Sequence, residues 1–144
     1  MTRYLGIDFG TRRIGVAVSD ELGITAQPLP SLEPSSEQEA IRDIRGFIEQ
    51  YGVLEVVVGL PKNMNGSIGP AAEAALAFAR QLEEGGTVKV TMWDERLTSR
   101  EAERLLIEAD LSRAKRKRRV DQMAAVLILQ GFLDRYHRQQ ERSS

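Results

Sequence analysis

Four carboxylates stand at places in this chain where acids are hard to explain. Leu5, Ile7 and Phe9 alternate with Gly6 and Asp8 at the period of a strand, which sets Asp8 in mid-run on one face of a sheet. An ionised carboxylate buried there costs on the order of several kcal/mol unless a cation or a set of donors meets it. Asp94 and Glu95 close the hydrophobic run Val88-Lys-Val-Thr-Met-Trp93, and Asp121 opens the most apolar helical segment of the chain. Brought together, these acids would form a cluster of oxygen donors that a hard divalent cation neutralises well. Each also has a plainer reading. An acid in the first turn of a helix suits the macrodipole, which covers Asp121, and strand ends commonly turn acids to water, which covers Asp94 and Glu95. Asp8, in mid-strand, suits the functional reading better than the plain one.

Positive charge is gathered as narrowly as the acids are spread. The formal net charge is -1, yet six of the 20 basic residues, Arg113, Lys115, Arg116, Lys117, Arg118 and Arg119, fall together with no acid among them. A run of this kind is a solvated loop or a contact for nucleic-acid phosphates, where each neutralised phosphate releases counterions. Its place just before Asp121 favours the second reading. Arg12, Arg13 and Arg96 adjoin the acids in sequence, and their guanidinium groups could clamp a phosphate or pair with the acids. Lys62, Asn63 and Asn65, in Pro61-Lys-Asn-Met-Asn-Gly-Ser67, could touch a phosphate backbone, although Asn65-Gly66 also marks a turn chosen for its geometry. Trp93 reads as core and His137 as an ordinary surface residue.

Composition removes several other chemistries. The chain has no cysteine, which excludes disulfides, thiolate zinc sites and thiol nucleophiles. Its apolar runs fall well short of the ~20 residues of a membrane span, and no signal-peptide pattern precedes the first strand. The expectation is a cytoplasmic protein without membrane partners, one domain over residues 1–138 and a polar tail over 139–144. With 144 residues and 42% hydrophobic content, such a domain can bury an ordinary core.

The elements that must position the acids follow from periodicity. Residues 3–9, 13–19 and 24–32 read as three strands, the first two joined across Gly10-Thr-Arg-Arg13. Ser35-Ser36 with Glu39 form a capping-box pattern, and Ile41, Ile44, Phe47 and Ile48 recur at helical spacing to Tyr51. Val53 to Leu60 is short, β-branched and apolar on both faces, as an inner strand requires. Pro70 opens a second helix to Glu84, and a strand over 87–93 delivers Asp94 and Glu95. Thr98 and Glu101 start a helix to about Ala109, and a final helix runs from about Arg119 to Arg138. This order predicts an α/β fold of the ribonuclease H-like type: a five-stranded mixed sheet, its first three strands antiparallel, with helices on both faces. In that architecture the first strand is central, the fourth lies beside it, and Asp8, Asp94 or Glu95, and Asp121 converge at one edge.

The motifs themselves resemble a family. Gly6-Ile-Asp-Phe-Gly-Thr-Arg-Arg-Ile-Gly-Val-Ala-Val18, Val58-Gly-Leu-Pro61 with Asn65-Gly-Ser67, Asp94-Glu-Arg-Leu-Thr-Ser99 and Asp121-Gln-Met-Ala-Ala-Val-Leu-Ile-Leu-Gln130 are similar, in order, to the YqgF family of bacterial proteins related to RuvC-type resolvases. The resemblance spans residue 4 to about 133. It implies a nuclease that either resolves Holliday junctions or matures the 5′ end of pre-16S ribosomal RNA, with Asp8, Glu95 with Asp94 beside it, and Asp121 as its catalytic acids. It departs from the wider superfamily in one respect, since many of those nucleases carry a glutamate on the fourth strand. Here that strand reads Val56-Val-Val-Gly-Leu60, so the acid after the fifth strand must supply the missing ligand or leave the site weaker.

Phosphodiester hydrolysis needs a water made nucleophilic near neutral pH and a stabilised leaving oxygen, and a pair of Mg²⁺ or Mn²⁺ ions supplies both. On this expectation Asp8 bridges two metals, Glu95 or Asp94 holds one, and Asp121 holds the other. Partners are then branched DNA or precursor rRNA. A junction resolvase calls for a homodimer, because one site must face each strand, whereas RNA maturation allows a monomer. Two rival functions share parts of the pattern. One is an inactive nucleic-acid-binding module with poor metal affinity; the other is an actin-like ATPase, suggested by Asp8-Phe-Gly-Thr11 but opposed by a length that holds only one lobe.

Overall fold

The computed structural model describes residues 3–10, 12–86, 88–95 and 123–136. Its elements are β1 (Arg3–Phe9), β2 (Ile14–Ser19), β3 (Ala26–Leu32), α1 (Glu37–Tyr51), β4 (Val53–Leu60), α2 (Pro70–Glu84) and β5 (Lys89–Asp94). A further helix, α3, covers residues 123–136. The helix expected over 98–109 and the basic run 113–119 lie outside the described residues, as do the outer ends of the expected final helix.

The strands form one sheet in the order β3-β2-β1-β4-β5. β2 is antiparallel to β1 and to β3, while β4 runs parallel to β1 and β5 parallel to β4. The C-terminal ends of β1, β4 and β5 therefore share one edge, and the loops leaving that edge sit side by side. Parallel neighbours need crossover connections, which α1 and α2 provide, and both faces of the sheet are covered as a parallel arrangement demands.

Alternation along the strands sorts side chains between two cores. Leu5, Ile7, Val56 and Val58 pack with Ile41, Ile44 and Ile48 of α1 and Phe78 and Leu82 of α2. Tyr4, Ala17 and Val57 face the other way, against Ala125, Ile128, Leu129 and Leu133 of α3. Tyr4 meets the Phe132 ring at 5.7 Å between centroids, so the later turns of α3 lie over the start of β1. Its earlier turns lie over Gly6, where a Cβ would come within 2.7 Å of Leu129 Cβ and 3.0 Å of the Ala125 carbonyl oxygen. α3 thus runs antiparallel to β1, from the Asp8 end of the strand toward Tyr4. Gly6→Ala should cost at least about 1–3 kcal/mol through overpacking, because helix backbone as well as side chain must retreat, and urea denaturation would measure the loss.

Local chemistry sets the boundaries. Ser36 caps α1 by accepting the Glu39 backbone N–H at 3.1 Å, and Glu39 returns a bond to the Ser35 backbone N–H at 3.1 Å rather than to the cap residue itself. Gly52, with φ 62°, ends that helix in the left-handed conformation. β3 begins at Ala26 rather than at residue 24, because Asp20 Oδ1 accepts the N–H groups of Ile24 and Thr25 and turns the chain there. At the start of β3 the side chain of Gln130 accepts the Ala26 N–H and donates to the Ile24 carbonyl, both at 2.9 Å, tying α3 to the edge of the sheet. β3 also contains Pro28 and Pro30. β5 starts at Lys89 and extends through Asp94, so the first acid of the pair belongs to the strand itself. Among the described residues no helix is long and apolar enough to cross a membrane.

Candidate active site

Asp8 and Glu95 meet at the shared C-terminal edge of β1, β4 and β5. Asp8 is the penultimate residue of β1, paired with Gly15 of β2, and it falls on the face that carries Tyr4 and Gly6, toward α3. Asp94 ends β5 opposite Leu60 of β4, and Glu95 follows it. The Glu95 side chain is hydrogen-bonded to Asp8.

A carboxyl pair in contact must share a proton or a cation. Burial first, then the bond to Asp8, then the charges of Asp8 and Asp94, push the Glu95 carboxyl up to about 9. Both burial and the contact with Asp8 thus favour the neutral form of Glu95 in the metal-free chain. The space between the two groups is where added positive charge would be held most strongly.

The donor chemistry fits a hard divalent ion. The groups are carboxylate oxygens, and Asp94 adds negative field without displacing them. Among the described residues no three His, Cys, Asp or Glu side chains converge closely enough to enclose a metal. Asp8 and Glu95 are the two expected acids that meet here, and Asp121, expected from the sequence beside them, lies outside the described residues together with Arg96.

The remaining expected residues distribute unevenly. Arg12 is exposed in the β1–β2 connection, whereas the Arg13 guanidinium Nε pairs with Glu33 Oε1 at 2.8 Å. Lys62 leaves the end of β4, its N–H bonded to the Leu60 carbonyl at 3.0 Å. Asn63 serves the loop itself: its side-chain amide donates to Ser67 Oγ at 2.9 Å and its carbonyl accepts the Gly66 N–H at 2.8 Å. Trp93 packs toward α3, as expected of core.

One position of the site escapes a reading based on titratable residues. A Cβ on Gly59 of β4 would stand 2.6 Å from Glu95 Oε1, so the Glu95 carboxyl lies over bare backbone. The signal was present as an acid missing from residues 56–60 of the fourth strand, with glycine near the strand's end.

Comparison with known proteins places the chain in a family. Residues 2–135 match the family model described as "RuvX: Holliday junction resolvase". A protein of Bacillus cereus named "Putative pre-16S rRNA nuclease" is 56% identical over 135 residues, which cover 92% of this chain and 98% of that one. A protein of the same name from Clostridium beijerinckii is 51% identical over 132 residues, covering 92% and 96%. Among solved structures, Thermus thermophilus RuvC in complex with a Holliday junction substrate superposes with a TM-score of 0.61 at 15% identity, over 95% of this chain and 97% of the other. The fowlpox virus Holliday junction resolvase gives 0.55 at 11% identity, over 92% and 99%. These two share the ribonuclease H-like fold with this chain. The family match over nearly the whole chain, and relatives more than half identical, place the chain in the RuvX/YqgF family, a family of nucleases.

Proposed function

We propose that this chain is a divalent-metal-dependent endonuclease acting on structured nucleic acid, with the 5′ leader of pre-16S rRNA as its substrate. The contact between Asp8 and Glu95 at the edge where three parallel strands end carries the reading, because a half-buried pair of carboxyls held by one proton is a place prepared for a cation. The choice of RNA rests on the name borne by relatives 51–56% identical to this chain. The family description favours a second substrate, the four-way DNA junction.

Asp8, Glu95 and Asp121 are the residues that would hold Mg²⁺ or Mn²⁺. A pair of such ions supplies a nucleophilic water near neutral pH and neutralises the leaving oxygen. Asp8 and Glu95 would hold the cation in place of their shared proton, and the burial that raises the Glu95 carboxyl would also limit the access of competing water to the pair. Asp94, next in sequence, strengthens the negative field at the pair. Arg12, after β1, and Lys62, after β4, leave the same edge of the sheet as the acid pair and would contact the phosphate backbone, and Arg96 with the basic run Arg113, Lys115, Arg116, Lys117, Arg118 and Arg119 would extend that contact. The start of α3 at the Asp8 end of β1 supports the inclusion of Asp121. The unit is a single cytoplasmic domain over residues 1–138, and RNA maturation lets it act as a monomer.

Cleavage of two labelled substrates, an RNA spanning the pre-16S leader and a mobile four-way DNA junction, tests the proposal in the presence of Mg²⁺ or Mn²⁺. Metal-dependent cleavage of the RNA alone is the expected result. Paired symmetric nicks in the junction alone would transfer the function to DNA and require a two-fold pair of chains. Binding of both substrates without any metal-dependent product would reduce the chain to a binding module.

A further inference from the structure

β4 is a strand of Val, Leu and Glu side chains until Gly59. Backbone conformation does not explain this glycine, because the glycines with positive φ are Gly23, Gly52, Gly66 and Gly86. Gly59 sits in regular parallel pairing, opposite Trp93 of β5, where any L-residue fits the dihedral angles. Glycine weakens a strand and, inside one, often marks a close approach by another group.

The approaching groups are two. A Cβ at position 59 would lie 2.6 Å from Glu95 Oε1 and 2.8 Å from Glu95 Cγ, and also 2.6 Å from Ile128 Cδ1 of α3. These separations are far inside van der Waals contact, so a single methyl group cannot be added unless both side chains move. Glu95 follows the end of β5, and its carboxyl reaches Asp8 on β1 with β4 lying between the two strands. Its path crosses the backbone of Gly59.

We propose that Gly59 is a positioning residue: by carrying no side chain it opens a passage across β4 through which Glu95, delivered from β5, reaches Asp8. The inference rests on the reading of Glu95 as a metal-holding group and adds the residue that sets its place. Ile128 shares the same space, so part of the cost of filling it is ordinary packing against α3. The two parts can be separated, because Ile128→Val removes the Cδ1 atom and leaves Glu95 untouched.

Two measurements on the full chain test this. The first is a metal-free stability cycle by urea denaturation in EDTA, combining Gly59→Ala with Glu95→Ala in an Ile128→Val background. Contact through Glu95 predicts that Gly59→Ala costs clearly less once Glu95 is truncated, and an equal cost in both backgrounds would overturn the proposal. The second is calorimetric titration with Mn²⁺ alone, without nucleic acid. Ile128→Val should bind as the parent does, whereas Gly59→Ala/Ile128→Val should remain folded and lose at least tenfold in Mn²⁺ affinity. Undiminished Mn²⁺ binding by that double variant would make Gly59 a packing residue only and overturn the proposal. Undiminished binding by Glu95→Ala would instead remove Glu95 from the metal site and with it the purpose of the passage, whereas loss in Glu95→Ala with retention in Gly59→Ala/Ile128→Val would strike the inference alone.

Discussion

Asp8→Asn should abolish metal-dependent cleavage, by on the order of 10³-fold or more, while the metal-free protein melts at the same temperature or higher. A thousandfold loss corresponds to about 4 kcal/mol of transition-state stabilisation, which is the scale expected when a group essential to the metal site is neutralised. The amide keeps the shape of the carboxyl and removes its charge. In the metal-free chain that charge, together with burial and Asp94, holds the Glu95 carboxyl above its ordinary range, a cost to the folded state at neutral pH that its removal reduces. Activity and stability then move in opposite directions, which a fold defect cannot mimic. Cleavage assays paired with thermal melts in EDTA check the result, and near-parental cleavage by Asp8→Asn would remove Asp8 from the site.

The metal-free chain should also lose stability as pH rises through the neutral range. The ordinary Glu95 carboxyl titrates at 4.5 and the folded one at about 9, so between those values the folded state holds a proton that the unfolded state has released. Stability from this group is therefore complete below 4.5, declines as pH rises, and is lost above about 9. Glu95→Gln should flatten this component of the pH profile, and the difference between the two profiles isolates it from all other titrations. Added Mg²⁺ should bind more tightly as pH rises, because each ion that enters must displace the shared proton. Denaturation in EDTA and in Mg²⁺ across the window measures both effects. A Glu95→Gln profile parallel to that of the parent would show that the pair does not hold its proton as described.

Much of the fold was legible because it is written in local patterns. The alternation in Arg3–Phe9, the capping serines before α1, Pro70 at the head of α2 and the apolar run of β4 each act over a few residues, and each element lies where its pattern places it. The convergence of Asp8 and Glu95 depended instead on strand order, which no single local pattern encodes; the succession of elements pointed to an architecture that brings the acids together, and the order β3-β2-β1-β4-β5 agrees. The start of β3 was misjudged by two residues because Ile24 reads as a strand residue, while the Asp20 side chain bonds its N–H into a turn. Which of Asp94 and Glu95 reaches Asp8 was beyond sequence reasoning, since adjacent residues at a strand end differ only in where the strand stops. Gly59 was the most difficult to read. A glycine records a space, and the space has meaning only when the side chains that fill it are seen.

The outer edge of the sheet bears on how this protein keeps to itself. In β3 residue 26 turns its N–H away from β2, and residues 28 and 30 have no N–H to turn either way. The first is taken by Gln130, and the other two are lacking because positions 28 and 30 are proline. A foreign strand approaching the first part of this edge would find carbonyl groups with few donors to complete a ladder. The protein is thereby guarded against edge-to-edge aggregation at high concentration during synthesis and folding. Self-association, where it occurs, must use side-chain surfaces rather than extension of the sheet past β3.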